Sequence, residues 1–228
     1  MDIVLLGAPG AGKGTQAELL ADWLGIPAVS SGELFRLAME ADTPLGRQAR
    51  GYIERGVYVP DDITVEMIAE RLHRPDCAEG VILDGFPRTE AQAEALAGLL
   101  GSMGRAVGFV ALILVPTEVL VERLSGRWSC PRCGAIYHET LSPPQVAGVC
   151  DVCGSTLQRR GDDDPALHQK RIEVYLEQTA PLVSYYRQRD LLVEIDGDQG
   201  IDEVQEDLRA AVRRVGVDQG ARSDRART

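Results

Sequence analysis

Short runs of consecutive apolar residues, Ile3–Leu6, Val81–Leu83 and Phe109–Val115, and the mainly apolar Leu191–Ile195, alternate along the chain with longer amphipathic stretches. Unbroken apolar runs of this length predict strands buried on both faces, and an apolar position every three or four residues predicts a helix. One helix is predicted from about Lys13 to Leu24, with Ala17, Leu20, Ala21 and Leu24 on one face. Another follows the acidic pair Asp61-Asp62, a helix N-terminal signal, and carries Val65, Ile68, Ala69 and Leu72. Further helices cover Glu90–Leu100, the stretch from Pro116 to Arg123, and a last stretch with Ile201, Val204, Leu208, Val212 and Val215. Strands alternating with helices predict an α/β fold, a parallel sheet covered by helices on both faces.

Two stretches break the alternation. Residues 30–59 are helix-like with no intervening strand and read as a small helical insertion. From Arg127 to Arg160 the chain is rich in Cys, Gly and Pro, which predicts a separately stabilised excursion bounded at 127–163. The core is then expected to comprise 1–29, 60–126 and 164–216, and the polar tail 217–228 to be disordered. Pro181 interrupts a helical pattern that begins near Pro165, so a kink or break is expected there.

Composition changes this picture little. A hydrophobic share of 44% with 26% charged residues in 228 is ordinary for a globular chain. The longest apolar run is far too short to span a bilayer, and no basic segment leads into an apolar stretch near Met1. No membrane partner and no signal peptide are therefore expected, and the cytoplasm is the expected location. The net charge of −11 argues against nucleic acid as a partner, because polyanions need a basic footprint, but leaves room for a small phosphorylated ligand. Of the 24 basic residues only Lys13 and Lys170 are lysine, and Lys13 stands in a glycine-rich loop.

That loop, Gly7-Ala8-Pro9-Gly10-Ala11-Gly12-Lys13-Gly14-Thr15, lies between the first strand and the first helix, the setting a phosphate-binding loop requires. Glycines let backbone N–H groups converge on phosphate oxygens, and the helix N-terminus adds the positive end of its dipole. Lys13 would reach the β- and γ-phosphates, and Thr15 would hold Mg²⁺ or the α-phosphate. Gly14 stands where the usual pattern has Ser or Thr. The competing reading is a glycine-rich turn with no ligand. Asp84 ends a strand and Arg88 follows it, placing both at the carboxyl edge of the sheet, where open α/β folds bind ligands. Asp84 is then an outer-sphere Mg²⁺ anchor or, more simply, a turn cap. Ser30 or Ser31 caps the first helix of the insertion, and Arg123 and Arg127 share a face if their helix extends that far.

GAPGAGKGTQ at 7–16 together with DGFPRT at 84–89 resembles the adenylate kinase family, and the similarity runs from Met1 to about Val215. The resemblance implies a P-loop NTPase-like core with one insertion clamping AMP and one closing over ATP, acting as a monomer. It implies Mg²⁺-dependent phosphoryl transfer from ATP to AMP, giving two ADP. By similarity ATP is bound by Gly10, Ala11, Gly12, Lys13, Gly14, Thr15, Arg123, Arg127, Ile136, Tyr137 and Gln199. AMP is bound by Ser31, Gly32, Arg36, Val57, Tyr58, Val59, Gly85, Phe86, Pro87, Arg88, Gln92, Arg160 and Arg171. Gln92 resembles the residue that recognises the acceptor adenine. The catalytic set so implied is Lys13, Asp84, Arg88, Arg127, Arg160 and Arg171, with Asp162 and Asp163 as hinge or salt-bridge residues. A sibling kinase preferring UMP, CMP or GMP is the enzyme alternative, and a zinc-ribbon nucleic-acid binder the non-enzyme one.

Cys130-x-x-Cys133 and Cys150-x-x-Cys153 have the two-knuckle spacing of a structural zinc site, each pair followed by glycine, Gly134 and Gly154. Four thiolates leave no open coordination position, so the metal would stabilise the excursion and take no part in chemistry. Two disulfides are the alternative. His73, His138, His168 and Cys77 carry no evident chemistry.

Overall fold

The structure, a computed structural model, describes residues 1–160 and 163–225. The first half of the chain runs β1 (Asp2–Leu6), α1 (Lys13–Leu24), β2 (Ala28–Ser30), α2 (Ser31–Glu40), α3 (Pro44–Ile53), α4 (Asp61–Leu72), β3 (Val81–Asp84) and α5 (Glu90–Ser102). It continues β4 (Val107–Leu114), α6 (Thr117–Ser125), β5 (Arg127–Ser129), β6 (Ile136–His138), α7 (Pro165–Val174), α8 (Pro181–Arg187), β7 (Leu192–Asp196) and α9 (Ile201–Arg225). β1, β2, β3, β4 and β7 form one parallel sheet in the order β2-β3-β1-β4-β7, in register Ile3 with Ile82 and with Phe109, and Val110 with Leu192.

The two-residue period of a strand explains why the apolar runs are unbroken. Val4, Leu6, Leu83 and Val110 face one core, packed with Phe35, Ile68, Leu96 and Leu182 from α2, α4, α5 and α8. Their neighbours Ile3, Leu5, Ile82 and Phe109 face the other, against Leu20 of α1 and Leu208 of α9. The apolar residues at the centres of β1, β3 and β4 are thus packed on both faces, and each fully buried large side chain stabilises the fold by about 1.5–3 kcal/mol.

The expected parallel sheet with helices on both faces is present. Several details differ. β2 is too short, at three residues, to carry a periodic signal, yet it pairs Ala28–Ser30 with Ile82–Asp84 at the sheet edge. α6 stops at Ser125, so Arg127 is not on a helix with Arg123 but begins the hairpin β5–β6. The break expected at Pro181 is a π turn, Tyr175–Thr179, in which the Ala180 N–H bonds to the Tyr175 carbonyl. Pro181 has no N–H for the carbonyl one turn back, which removes a helical bond. α9 continues to Arg225, beyond Val215 where the apolar pattern ends and into the tail expected to be disordered. Residues 226–228 of that tail, like Asp162, lie outside the described residues.

Candidate active site

Because the strands are parallel, their carboxyl ends lie on one edge, and the loops leaving them meet there: Gly7 after β1, Gly85 after β3, Gly197 after β7. These loops, α2, the end of the 30–59 stretch and the β5–β6 hairpin enclose a cavity of about 770 Å³. Of the nucleotide-contacting residues named above, all but Phe86 line it; Phe86 is buried in the core beneath.

The floor is the glycine loop. Gly12, in the left-handed region at φ 89°, ends the loop and α1 begins at Lys13. The Lys13 ammonium folds back to donate to the Gly7 and Ala8 carbonyls at 2.8 and 3.0 Å. Desolvation lowers its pKa from 10.5 to about 8; the carboxylate of Asp84 opposes this, while Arg88, Arg171 and Arg127 add to it. Asp84 makes no capping bond among the described residues. Its Oδ2 is 3.7 Å from where a Cβ on Gly14 would stand, so the carboxylate sits over the loop. The same position lies 3.1 Å from Cδ1 of Ile136, so the hairpin is folded down onto the loop.

On the α2 side, Ser30 rather than Ser31 caps the helix, accepting from Glu33 N–H. Ser31 is buried and donates to the Gly85 carbonyl at 2.6 Å, and Arg88 Nε donates to the same carbonyl at 2.6 Å. Gly85 has φ 71°, and a Cβ there would come within 2.9 Å of Arg88 Nη2 and 3.0 Å of Ser31 Oγ. Glycine is needed on both counts. The Arg88 guanidinium lies over the Tyr58 ring, 4.7 Å from its centre. Arg36 folds back so that its Nη1 is 3.1 Å from the same kind of position on Gly32. Gln92 is buried, accepting from Arg88 N–H at 2.8 Å and donating to Asp61 Oδ1 at 2.6 Å. Asp61 also accepts from the Thr89 hydroxyl at 2.8 Å. Each of Gln92's amide groups therefore already has a protein partner.

The opposite wall holds Arg123, Arg127, Arg160 and Arg171. Asp163, 4% exposed, ties two of them together: it accepts from Arg127 Nε at 2.7 Å, from Arg127 Nη2, and from Arg171 Nη1 at 3.1 Å. Tyr137 reaches the cavity wall, but its hydroxyl is turned to the knuckles, 3.5 Å from Cys150 Sγ, where it accepts from Asp151 N–H at 2.8 Å. Gln199 is likewise engaged, its amide donating to the Asp196 carbonyl and to Asp207.

Cys130, Cys133, Cys150 and Cys153 are free thiols whose sulfurs all lie within 4.8 Å of one another, the shortest separations being 3.4 and 3.5 Å. Thiolates about 2.3 Å from a tetrahedral metal stand about 3.8 Å apart, so the quartet fits zinc and not two disulfides. Gly134 and Gly154 both adopt positive φ and return their N–H groups to the carbonyls of Cys130 and Cys150, closing each knuckle.

Comparison with known proteins agrees with this geometry. The family model described as adenylate kinase matches residues 5–191. The chain belongs to the adenylate kinase family. It is therefore a nucleoside monophosphate kinase, a phosphotransferase. It is 55% identical to the adenylate kinase of Moorella thermoacetica over 204 residues, 90% of this chain and 94% of that one. It is 49% identical to the adenylate kinase of Symbiobacterium thermophilum over 213 residues, 93% and 99% of the two chains. The sequence identifies Asp61 only as a helix N-terminal signal, not as the partner of Gln92 and Thr89, and gives Thr179 no role. Thr179 precedes the Ala-Pro break by one residue, and a hydroxyl at a forced helix interruption is the signal that could have drawn attention to it.

Proposed function

We propose that the chain catalyses in-line transfer of the γ-phosphoryl group of ATP to AMP, giving two ADP, within this cavity. The observation that carries the reading is the convergence of Lys13 from the floor, Arg88 from the β3 loop and Arg123, Arg127, Arg160 and Arg171 from the opposite wall on one enclosed space. So much positive charge on two sides suits two phosphate chains end to end. Phosphoryl transfer asks of a protein chiefly alignment and charge neutralisation in a dry site.

In this reading the division follows the sequence: core 1–29, 60–126 and 164–216, AMP insertion 30–59, lid 127–163 and tail 217–228. ATP phosphates lie along Gly10–Thr15, with Lys13 exchanging its loop carbonyls for phosphate oxygens. Arg88, held at Nε by Gly85, offers the outer edge of its fork to the AMP phosphate. Arg127, Arg160 and Arg171 stabilise charge on the transferring group, and Ile136 excludes water above the loop. The oxygen donors Thr15 and Asp84 fit Mg²⁺, which would enter with ATP and spread the charge of its phosphates. The cysteines would hold zinc, which supplies lid stability alone. With Gln92 bonded to Asp61, adenine selection rests on it jointly with Val57 and Val59. The bacterial relatives and the net negative charge are in keeping with a cytoplasmic monomer.

The test is ADP formation from Mg·ATP with AMP, CMP, UMP or GMP supplied separately, beside a control without acceptor. AMP should be the fastest acceptor and the control nearly silent. Preference for a pyrimidine acceptor would overturn the adenine reading, and rapid ATP hydrolysis in the control would overturn the kinase reading of the closed lid.

A further inference from the structure

The resemblance implies only that Tyr58 helps to bind AMP, yet its side chain makes two contacts of a different kind. Its ring lies beneath the Arg88 guanidinium, 4.7 Å from centre to Cζ. Its hydroxyl is 2.8 Å from Oγ1 of Thr179, a residue 121 positions away in the π turn. The Thr179 hydroxyl in turn donates to the Arg88 carbonyl at 3.0 Å. A threonine hydroxyl carries one proton and a carbonyl can only accept. The proton order is therefore fixed: Tyr58 O–H donates to Thr179, and Thr179 O–H donates to Arg88. Thr179 is 5% exposed, so this chain of bonds is shielded from water and polarises along its length.

Arg88 is thus gripped from several directions. Its N–H donates to Gln92, its carbonyl accepts from Thr179, its Nε donates to Gly85, and one face of its guanidinium rests on Tyr58. Two of these restraints converge on one partner system, in which the end of the 30–59 stretch and the π turn before α8 meet at the same arginine. An α-helical continuation through 175–179 would not place the Thr179 hydroxyl as the π turn does, so the Pro181 break has a consequence at the site.

We propose that Tyr58 and Thr179 are positioning residues for Arg88, through which the end of the 30–59 stretch and the π turn before α8 together set the orientation of that arginine. The inference rests on the reading of Arg88 as the acceptor-phosphate residue. When Tyr58 is seated on Thr179 its ring sets the plane of the guanidinium, so the fork meets the acceptor phosphate in one orientation. Nothing covalent is involved, and the effect belongs to the acceptor side only.

The test is steady-state kinetics with both nucleotides varied, on the wild type and on Tyr58→Phe, Tyr58→Leu, Thr179→Val and Thr179→Ser, each with a melting curve. Loss of a cation–π contact in a partly desolvated site corresponds to about a 10-fold effect, so Tyr58→Leu should lower kcat/KM for AMP by about that factor. Tyr58→Phe keeps the ring and should cost about threefold. KM for ATP should not move in either. Thr179→Ser should recover most of what Thr179→Val loses. Tyr58→Phe combined with Thr179→Val should be no worse than Thr179→Val alone, because the one bond that Tyr58→Phe removes is already absent in Thr179→Val. A purely structural role would lower the melting temperature and leave the AMP and ATP constants alike. Equal changes in both constants, additive losses in the double variant, or a Tyr58→Leu enzyme with wild-type kcat/KM for AMP would each overturn the proposal. A wild type that makes no ADP with AMP would instead overturn the reading of Arg88, before any variant is made.

Discussion

Replacing Gly85 with alanine should damage both stability and chemistry, by amounts that can be separated. At φ 71° an alanine adopts the left-handed region, which costs about 1–2 kcal/mol. The new methyl would stand 2.9 Å from Arg88 Nη2 and 3.0 Å from Ser31 Oγ, and ordinary contact requires the gap to open by about 0.5 Å. Since Ser31 is buried and bonded to the Gly85 carbonyl, the arginine is the group that yields. For a chain of this size a loss near 2 kcal/mol lowers the melting temperature by about 4–8 °C. A catalytic group displaced by 1 Å can lose about 100-fold in rate, so half that shift should cost kcat about 10-fold. Gly104→Ala separates the two effects. Gly104 has φ 69° but nothing within 4 Å of its Cβ position, and it lies outside the cavity. It should lose melting temperature and keep kcat. The assays are scanning calorimetry and coupled ADP release at saturating ATP and AMP. A Gly85→Ala enzyme with full kcat would refute the tie between this glycine and Arg88, and one with an unchanged melting temperature would refute the backbone argument.

Asp163→Asn removes the charge shared by Arg127 and Arg171 and should destabilise by about 3 kcal/mol, the low end for a broken buried pair because the cleft admits water; the melting temperature should recover more with added ADP than it rises in the wild type, and equal shifts would contradict this. Lys13, with its pKa lowered to about 8, is penalised as a cation below that pH, so stability of the nucleotide-free protein should rise between about pH 8 and 10.5, where the unfolded chain holds the extra proton. Bound phosphates favour the cation, so ATP binding should take up a proton above pH 8 and weaken as pH rises; calorimetry in buffers of different ionisation heat reads the proton, and no buffer dependence would exclude Lys13. Cys130→Ser with Cys133→Ser should lower the melting temperature before it abolishes turnover, and an intact melting curve after chelation would contradict a structural metal.

The parts of this molecule that rest on repetition were legible in the sequence. Unbroken apolar runs gave the central strands because both sheet faces are covered, and the cysteine spacing gave the quartet because a tetrahedral metal admits few loop lengths. What escaped was set by contacts distant in sequence. β2 is held by pairing with β3, not by its own composition. Arg127 leaves the helix because the hairpin begins there, although its spacing from Arg123 suits a helix face. The resemblance pointed to Gln92, but its bonds to Asp61 and Arg88 belong to the tertiary structure, as does the Tyr58–Thr179 contact. Spacing shows which residues can share an element; it does not show which partner satisfies a buried polar group.

The charge of the chain and the charge of its cleft have opposite signs, and Asp163 shows how the two are reconciled. A net charge of −11 spread over the surface does little inside a low-dielectric crevice, where the nearest ions dominate. Arginines gathered there without phosphate would repel one another and hold the lid off. One buried carboxylate between Arg127 at the start of the hairpin and Arg171 on α7 cancels part of that repulsion and spans the lid's junction with the core. The hairpin's own apolar cluster has only Cys130, Tyr137, Cys150 and Leu157 buried, with Trp128, Ala135 and Cys153 packed against them, and three of these are cysteines of the quartet. Such a cluster cannot keep its shape by burial alone. A metal held by the four cysteines would set the form of the hairpin that brings Ile136 down on Gly14, and Asp163 sets the arginines at its root. A site that must be dry to transfer phosphate to AMP rather than to water needs both.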